Sequence, residues 1–270
     1  MAEVMEAVTI TKLKRDLVKL GGTMDNQQAR YYVDLYYQEQ EMRKALVNQC
    51  REFEDKPELL TWFAQQHKML EEEIKKVLTK YVNAQPVGKW MSSIPGIGPV
   101  IAAGLMAHID ISKVQTAGAI WRYAGLDPSA KWEKGQKRPW NAKLKTLCWK
   151  IGESFVKQSN RDADVYGHLY KERKAYEQEK NEAGEYKLQA EWKLEHFKIG
   201  KTTEAYKWYS QGMLPPAHIN ERAKRYAVKM FLSHLFEVWY TLHNQEKPPK
   251  PYAIDILGHA HEIRVPNWEE

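Results

Sequence analysis

The residues best placed for chemistry lie in the run Ile94-Pro95-Gly96-Ile97-Gly98-Pro99-Val100-Ile101-Ala102-Ala103. Gly96 and Gly98 lack a Cβ, so a turn here can take positive φ and approach a ligand closely. Pro99 suits the first position of a helix, where a missing N–H costs nothing. The free N–H groups that follow, at Val100 and Ile101, and the positive end of the helix dipole make a seat for a phosphate. Ile94, Ile97, Ile101 and Leu105 fall on the apolar side that would hold two helices together. The spacing predicts a helix-hairpin-helix, a unit that grips nucleic-acid backbone. A hairpin that packs only against protein is the plainer alternative.

A second segment, residues 131–150, carries Glu133 as its only acid. Lys131, Lys134, Lys137, Arg138, Lys143 and Lys145 form a patch able to neutralise phosphates, and such binding weakens steeply with salt. Trp132 and Trp140 are candidates to stack on an exposed base or lie against a sugar. Leu144, Leu147 and Ile151 face the core of a helix expected over residues 141–157. Arg122, one turn before Gly125, adds to the same surface. The plainer alternative is a solvated basic loop with structural tryptophans.

Other chemistry is thinner. His259 and His261, with His218 far upstream, lack a third ligand at diagnostic spacing, and no metal site is expected. Asp162, Asp164, Glu172 and Glu182 sit in charged helical sequence where ordinary ion pairing accounts for them. Gly200-Lys201-Thr202-Thr203 lacks the earlier glycine of a phosphate-binding loop, so Thr202 or Thr203 is expected to cap a helix. No cofactor is expected.

These segments need positioning elements, and the pattern predicts an all-α chain. Asp25 or Asn26 caps a long helix running to about Phe53, and Pro57 starts another. Phe63, Leu70, Ile74, Val77 and Tyr81 fall on one stripe of that second helix. Together the two make either an antiparallel coiled hairpin or two bundle helices, and a self-associating hairpin would make a homodimer or higher oligomer. Residues 171–198 read as solvated helix faces with a break at Gly184. Pro215-Pro216 opens a strong helix with Ile219, Ala223, Ala227, Met230, Leu235 and Val238 inward. Three regions result: an N-terminal helical hairpin at 1–85, a compact centre at 86–160, and a charged helical region at 161–270.

The whole chain agrees with this. Its 270 residues are 43% hydrophobic, enough for a real core, and its net charge of +6 is a mild bias toward polyanions. Cys50 and Cys148 show no metal-ligand spacing, which fits a reduced compartment. Residues 1–12 lack a long apolar core, and no run reaches membrane-spanning length. A cytoplasmic, nucleoid-associated protein is expected, with no membrane partner.

From about Trp90 to Lys157 the chain resembles the C-terminal domain of the serine-type, guide-RNA-using insertion-sequence transposases. Ile94 to Pro99, Ala102-Ala103, Asp110-Ile111-Ser112-Lys113-Val114 and Tyr123-Ala124-Gly125-Leu126-Asp127-Pro128 carry the resemblance. Lys137, Arg138, Asn141, Leu144 and Lys145 match a later basic motif loosely, which adds Asn141 to the candidate contacts. Two departures matter. Family members begin with a RuvC-like domain, whereas residues 1–90 here are helical in pattern. They also place a serine nucleophile where this chain reads Lys131-Trp132-Glu133-Lys134-Gly135. Ser129 stands too early, directly after Pro128, and is a weak substitute. The expectation is therefore a transposase-like protein without its own catalysis, holding DNA, duplex or branched, or structured RNA. An active transposase completed by another chain or by RNA, and a protein-interaction scaffold, are the alternatives.

Overall fold

The computed structural model describes residues 12–249 and 263–268. Among the described residues the secondary structure is helical, with no strand. The chain divides into two compact units. Among the described residues, the first comprises those up to Ser93, Ile97–Lys113 and Leu242–Gln245; the second comprises Ile94–Gly96, Val114–Thr241 and those from Glu246 onward.

The first unit holds α1 (Arg15–Lys19), α2 (Asn26–Cys50), α3 (Glu58–Asn83), α4 (Pro86–Ser93) and α5 (Pro99–His108). Asp25 starts α2 with a capping box: its carboxylate accepts from Gln28 N, and the Gln28 side chain accepts from Asp25 N. The helix ends at Cys50, three residues short of Phe53. Pro57 is the N-cap of α3. Three cross-links tie the antiparallel pair, the start of α2 meeting the end of α3 while Glu39 and Arg43, later in α2, meet residues earlier in α3. Tyr81 donates to Asn26 at 2.8 Å, Glu39 meets His67 at 2.6 Å, and the Arg43 guanidinium holds Glu71.

Ile74, Val77 and Tyr81 are buried as their stripe predicts, but Phe63 at its start is 48% exposed. A seven-residue repeat drifts by about 20° per heptad on a straight helix, and the inward face there passes to Ala64. Helix α5 is apolar on all sides and seven of its ten residues are buried. Such a helix belongs in a core. The Arg30 guanidinium adds a bond to Ala107 O at 2.6 Å.

The second unit holds α6 (Ala117–Tyr123), α7 (Ala142–Gln158), α8 (Val165–Glu182), α9 (Lys187–His196), α10 (Glu204–Ser210) and most of α11, which spans Pro216–Asn244. Its centre is aromatic. Phe155 stacks on Tyr166 with ring centroids 4.9 Å apart, and Phe231 meets Tyr166 edge-on at 5.3 Å. Tyr166 Oη and His234 Nδ1 lie 2.8 Å apart, and His234 Nε2 lies 2.9 Å from Ile263 O. A carbonyl can only accept, so Nε2 carries the imidazole proton and Nδ1 accepts from the tyrosine.

Residues 171–198 are less solvated than their charge implies. Gly184, at φ +80°, separates α8 from α9, but Glu177 and Asn181 are buried. Glu177 is held by Arg173, Arg222 and Tyr186. Asn181 brackets Leu214, donating to its carbonyl at 2.9 Å and accepting from its N–H at 2.7 Å. These bonds anchor a small core of Ala190, Tyr209, Leu214 and Ile219. Thr203 caps α10, and Pro216 opens α11 with Ile219, Ala223, Ala227, Leu235 and Val238 buried.

Candidate nucleic-acid interface

The glycine turn joins α4 to α5. Gly96 has φ +88°, a conformation that L side chains rarely adopt. The turn tip is fastened within the second unit: Ser154 Oγ, near the end of α7, donates to Gly96 O at 2.7 Å. Gly98 differs from expectation. It is extended, at φ −81°, and serves as the N-cap of α5 with Pro99 next. A Cβ at Gly98 would meet nothing within 4 Å, so the fold itself does not require glycine there. Gly98 offers no side-chain cap, so the first N–H groups of α5 keep their donors. The Val100 side chain is buried and Ile101 half-buried, so only their backbone could face a ligand.

The basic segment leads into α7. Lys131, Lys134, Lys137, Arg138, Lys143 and Lys145 are all exposed, as is Arg122 in the last turn of α6. Trp132 is 39% exposed; its Nε1 donates to Gln136 O at 2.7 Å, and Arg138 lies over its ring at 5.1 Å. Trp140 is engaged inside the fold instead. It packs on Gly125, and Lys145 Nζ sits 4.3 Å from its ring centroid. Asn141 also serves the fold. Its Oδ1 caps α7 by accepting from Leu144 N at 3.0 Å, and its Nδ2 donates to Tyr123 Oη at 3.1 Å.

Ser129 is a turn former. Its N–H and hydroxyl both donate to Asp127 Oδ1, at 2.9 and 2.7 Å. Those bonds hold the Asp127 carboxyl below the usual carboxylate range, which makes it a poor base for activating the hydroxyl. Among the described residues no group of three His, Cys, Asp or Glu could hold a metal ion, and His259 and His261 lie outside those residues.

Three residues absent from the sequence-derived site stand beside it in the second unit. Trp149 on α7 is 56% exposed, and Arg225 and Lys229 come from α11. Burial, then the Arg225 and Arg138 charges, hold Lys145 below its ordinary value. Burial and Arg225 do the same to Lys229, which lies over Trp121 at 4.9 Å. Lys145 and Trp149 share a helix face by four-residue spacing, as do Arg225 and Lys229. That spacing was the available signal, but nothing in the sequence pairs α7 with α11.

Residues 88–162 match the model of the Transposase IS116/IS110/IS902 family. The matched stretch runs from α4 through the glycine turn, α5, α6 and the basic segment to just beyond α7. It supports a relationship to insertion-sequence transposases. No curated protein and no solved structure matches the chain. Among the described residues no helix is long and apolar enough to cross a membrane.

Proposed function

We propose that this chain is a transposase-like nucleic-acid-binding protein. It holds the backbone of DNA, or of structured RNA, through a helix-hairpin-helix at residues 96–101 and the basic segment at residues 131–145. It performs no strand transfer of its own. One observation carries this proposal: a single transposase-family match covers both the uncapped glycine turn and the run of exposed cations. Backbone contacts fix position without reading bases, so low sequence specificity follows. The engagement of Ser129 by Asp127, and the lack of a serine at residues 131–135, support the non-catalytic part. Tyr31, Leu35 and Met42 leave an apolar stripe exposed on α2, which supports self-association through the N-terminal hairpin.

The test is binding to duplex, single-stranded and four-way-junction DNA and to structured RNA, read by fluorescence anisotropy across a salt series. Tight binding with a steep negative salt slope is expected. Absence of binding to every probe at low salt would reject the proposal.

A further inference from the structure

Behind the Gly125-to-Pro128 turn, α7 and α11 enclose a cleft of about 390 Å³. Its floor depends on Gly152: a Cβ there would come within 3.3 Å of Lys224 Cβ, so the glycine lets α11 lie close to α7. Lys145 and Trp149 line one wall and Arg225 another, with Asp127, Glu221 and Lys224 completing the charged lining. The acids are already engaged. Asp127 accepts both bonds from Ser129, and Lys224 pairs with Glu221 and Glu153. Lys145 and Arg225 form no ion pair among the described residues. Two cations thus line one cleft with neither in an ion pair among the described residues, and the Arg225 charge disfavours that of Lys145. A bound anion would relieve that repulsion. Trp149 sets the rest of the ligand's chemistry, because its indole is 56% exposed and lines the cleft. A cleft of this volume takes a ligand of small-molecule size and is too small for a duplex.

We propose that this cleft receives a single unpaired nucleotide of the bound nucleic acid, its phosphate against Lys145 and Arg225 and its base on the face of Trp149. The inference rests on the nucleic-acid function proposed above and adds to it. Backbone contacts at the glycine turn and basic segment hold the strand, and the cleft selects strands carrying an extrahelical nucleotide. Arg225 lies outside the stretch that matches the transposase model, so the pocket is a property of this chain's own C-terminal helix.

The test compares a fully paired duplex with the same duplex carrying one extrahelical 2-aminopurine nucleotide, in DNA and in RNA. The wild-type chain is expected to favour the bulged probe by about ten-fold, the lower range for stacking one base on an aromatic ring. Trp149→Leu and Arg225→Ala should bring the ratio of bulged to paired affinity toward one, while Trp149→Phe, which keeps a π face, preserves most of it. Thermal melting of each variant identifies any that fail to fold, and the wild-type ratio decides the matter without them. A wild-type ratio of one, with salt-sensitive binding to the paired duplex, overturns this inference and leaves the backbone-binding function standing. Failure to bind either probe overturns both.

Discussion

Gly125 makes room for the indole of Trp140. At φ +66°, a Cβ on residue 125 would lie 2.8 Å from Trp140 Cγ and 2.9 Å from Lys145 Cδ. The glycine, the indole and the lysine therefore form one unit at the start of α7, with Lys145 Nζ resting 4.3 Å from the ring centroid. Trp140 supports the cation that the cleft and the basic surface share, while Trp132 and Trp149 retain exposed rings.

Gly125→Ala should therefore destabilise the chain by about 1–3 kcal/mol, combining left-handed backbone strain with displacement of Trp140. Urea unfolding measures it. A change within about 0.5 kcal/mol, the usual range of surface substitutions, would mean that the indole moves aside at little cost.

Glu177 offers a second stability test. Its side chain is 1% exposed, against 32% and 26% for its partners Arg173 and Arg222. Burial pushes the carboxyl up, but bonds from Tyr186, Arg222 and Arg173 outweigh it and hold the group below its ordinary value. Glu177→Ala should cost about 3 kcal/mol, at the low end for breaking a buried pair, because the arginines can turn to water. Glu177→Gln keeps acceptor and donor atoms and should cost less. Equal losses for both variants would assign the effect to the lost charge rather than to the cavity that only the alanine leaves.

The fold class was legible because its punctuation is local. Asp25 with Gln28, Pro57, Pro99, Thr203 and Pro216 each act within a few residues, and each begins a helix. The positive φ of Gly96 was legible for the same reason. What escaped depends on distant partners. Nothing near Asn141 announces that its amide reaches Tyr123, and nothing near Glu177 announces Arg222, which is 45 residues away. Arg225 and Trp149 acquire their significance only once Gly152 allows α11 to settle on α7. Solvated and buried charges also look alike in a periodic sequence, which is why residues 171–198 read as a simple polar face.

Acid should loosen the second unit through its buried imidazoles. His218, beside Tyr209 Oη at 3.2 Å, is brought down from 6.5 to about 4 by burial and then by the Lys193 and Arg222 charges. His234 is also lowered, by burial. The unfolded chain takes up these protons first, so it binds more protons than the native state between pH 6.5 and about 4. Stability is then fully present above pH 6.5 and falls as the pH drops through that window. Melting temperatures recorded from neutral pH downward should decline there, and His218→Gln should flatten part of the slope. A profile that stays level down to pH 4.5 would show that neither imidazole is protected.

Charge reversal separates specific phosphate contacts from the general pull of a cationic protein. Lys137 and Arg138 are exposed in the basic segment, and Arg138 also rests on Trp132. Each phosphate contact contributes about 0.9 to the slope of log affinity against log salt on duplex DNA. Lys137→Glu with Arg138→Glu should therefore reduce the magnitude of that slope by about two and weaken binding at least ten-fold at low salt. The matched control reverses Lys44 and Lys207, exposed residues already paired with Glu41 and Glu204. It makes the same change in net charge far along the sequence from the basic segment. If the control pair lowers affinity and slope as much as the test pair, binding follows net charge alone, and the basic segment has no special part in it.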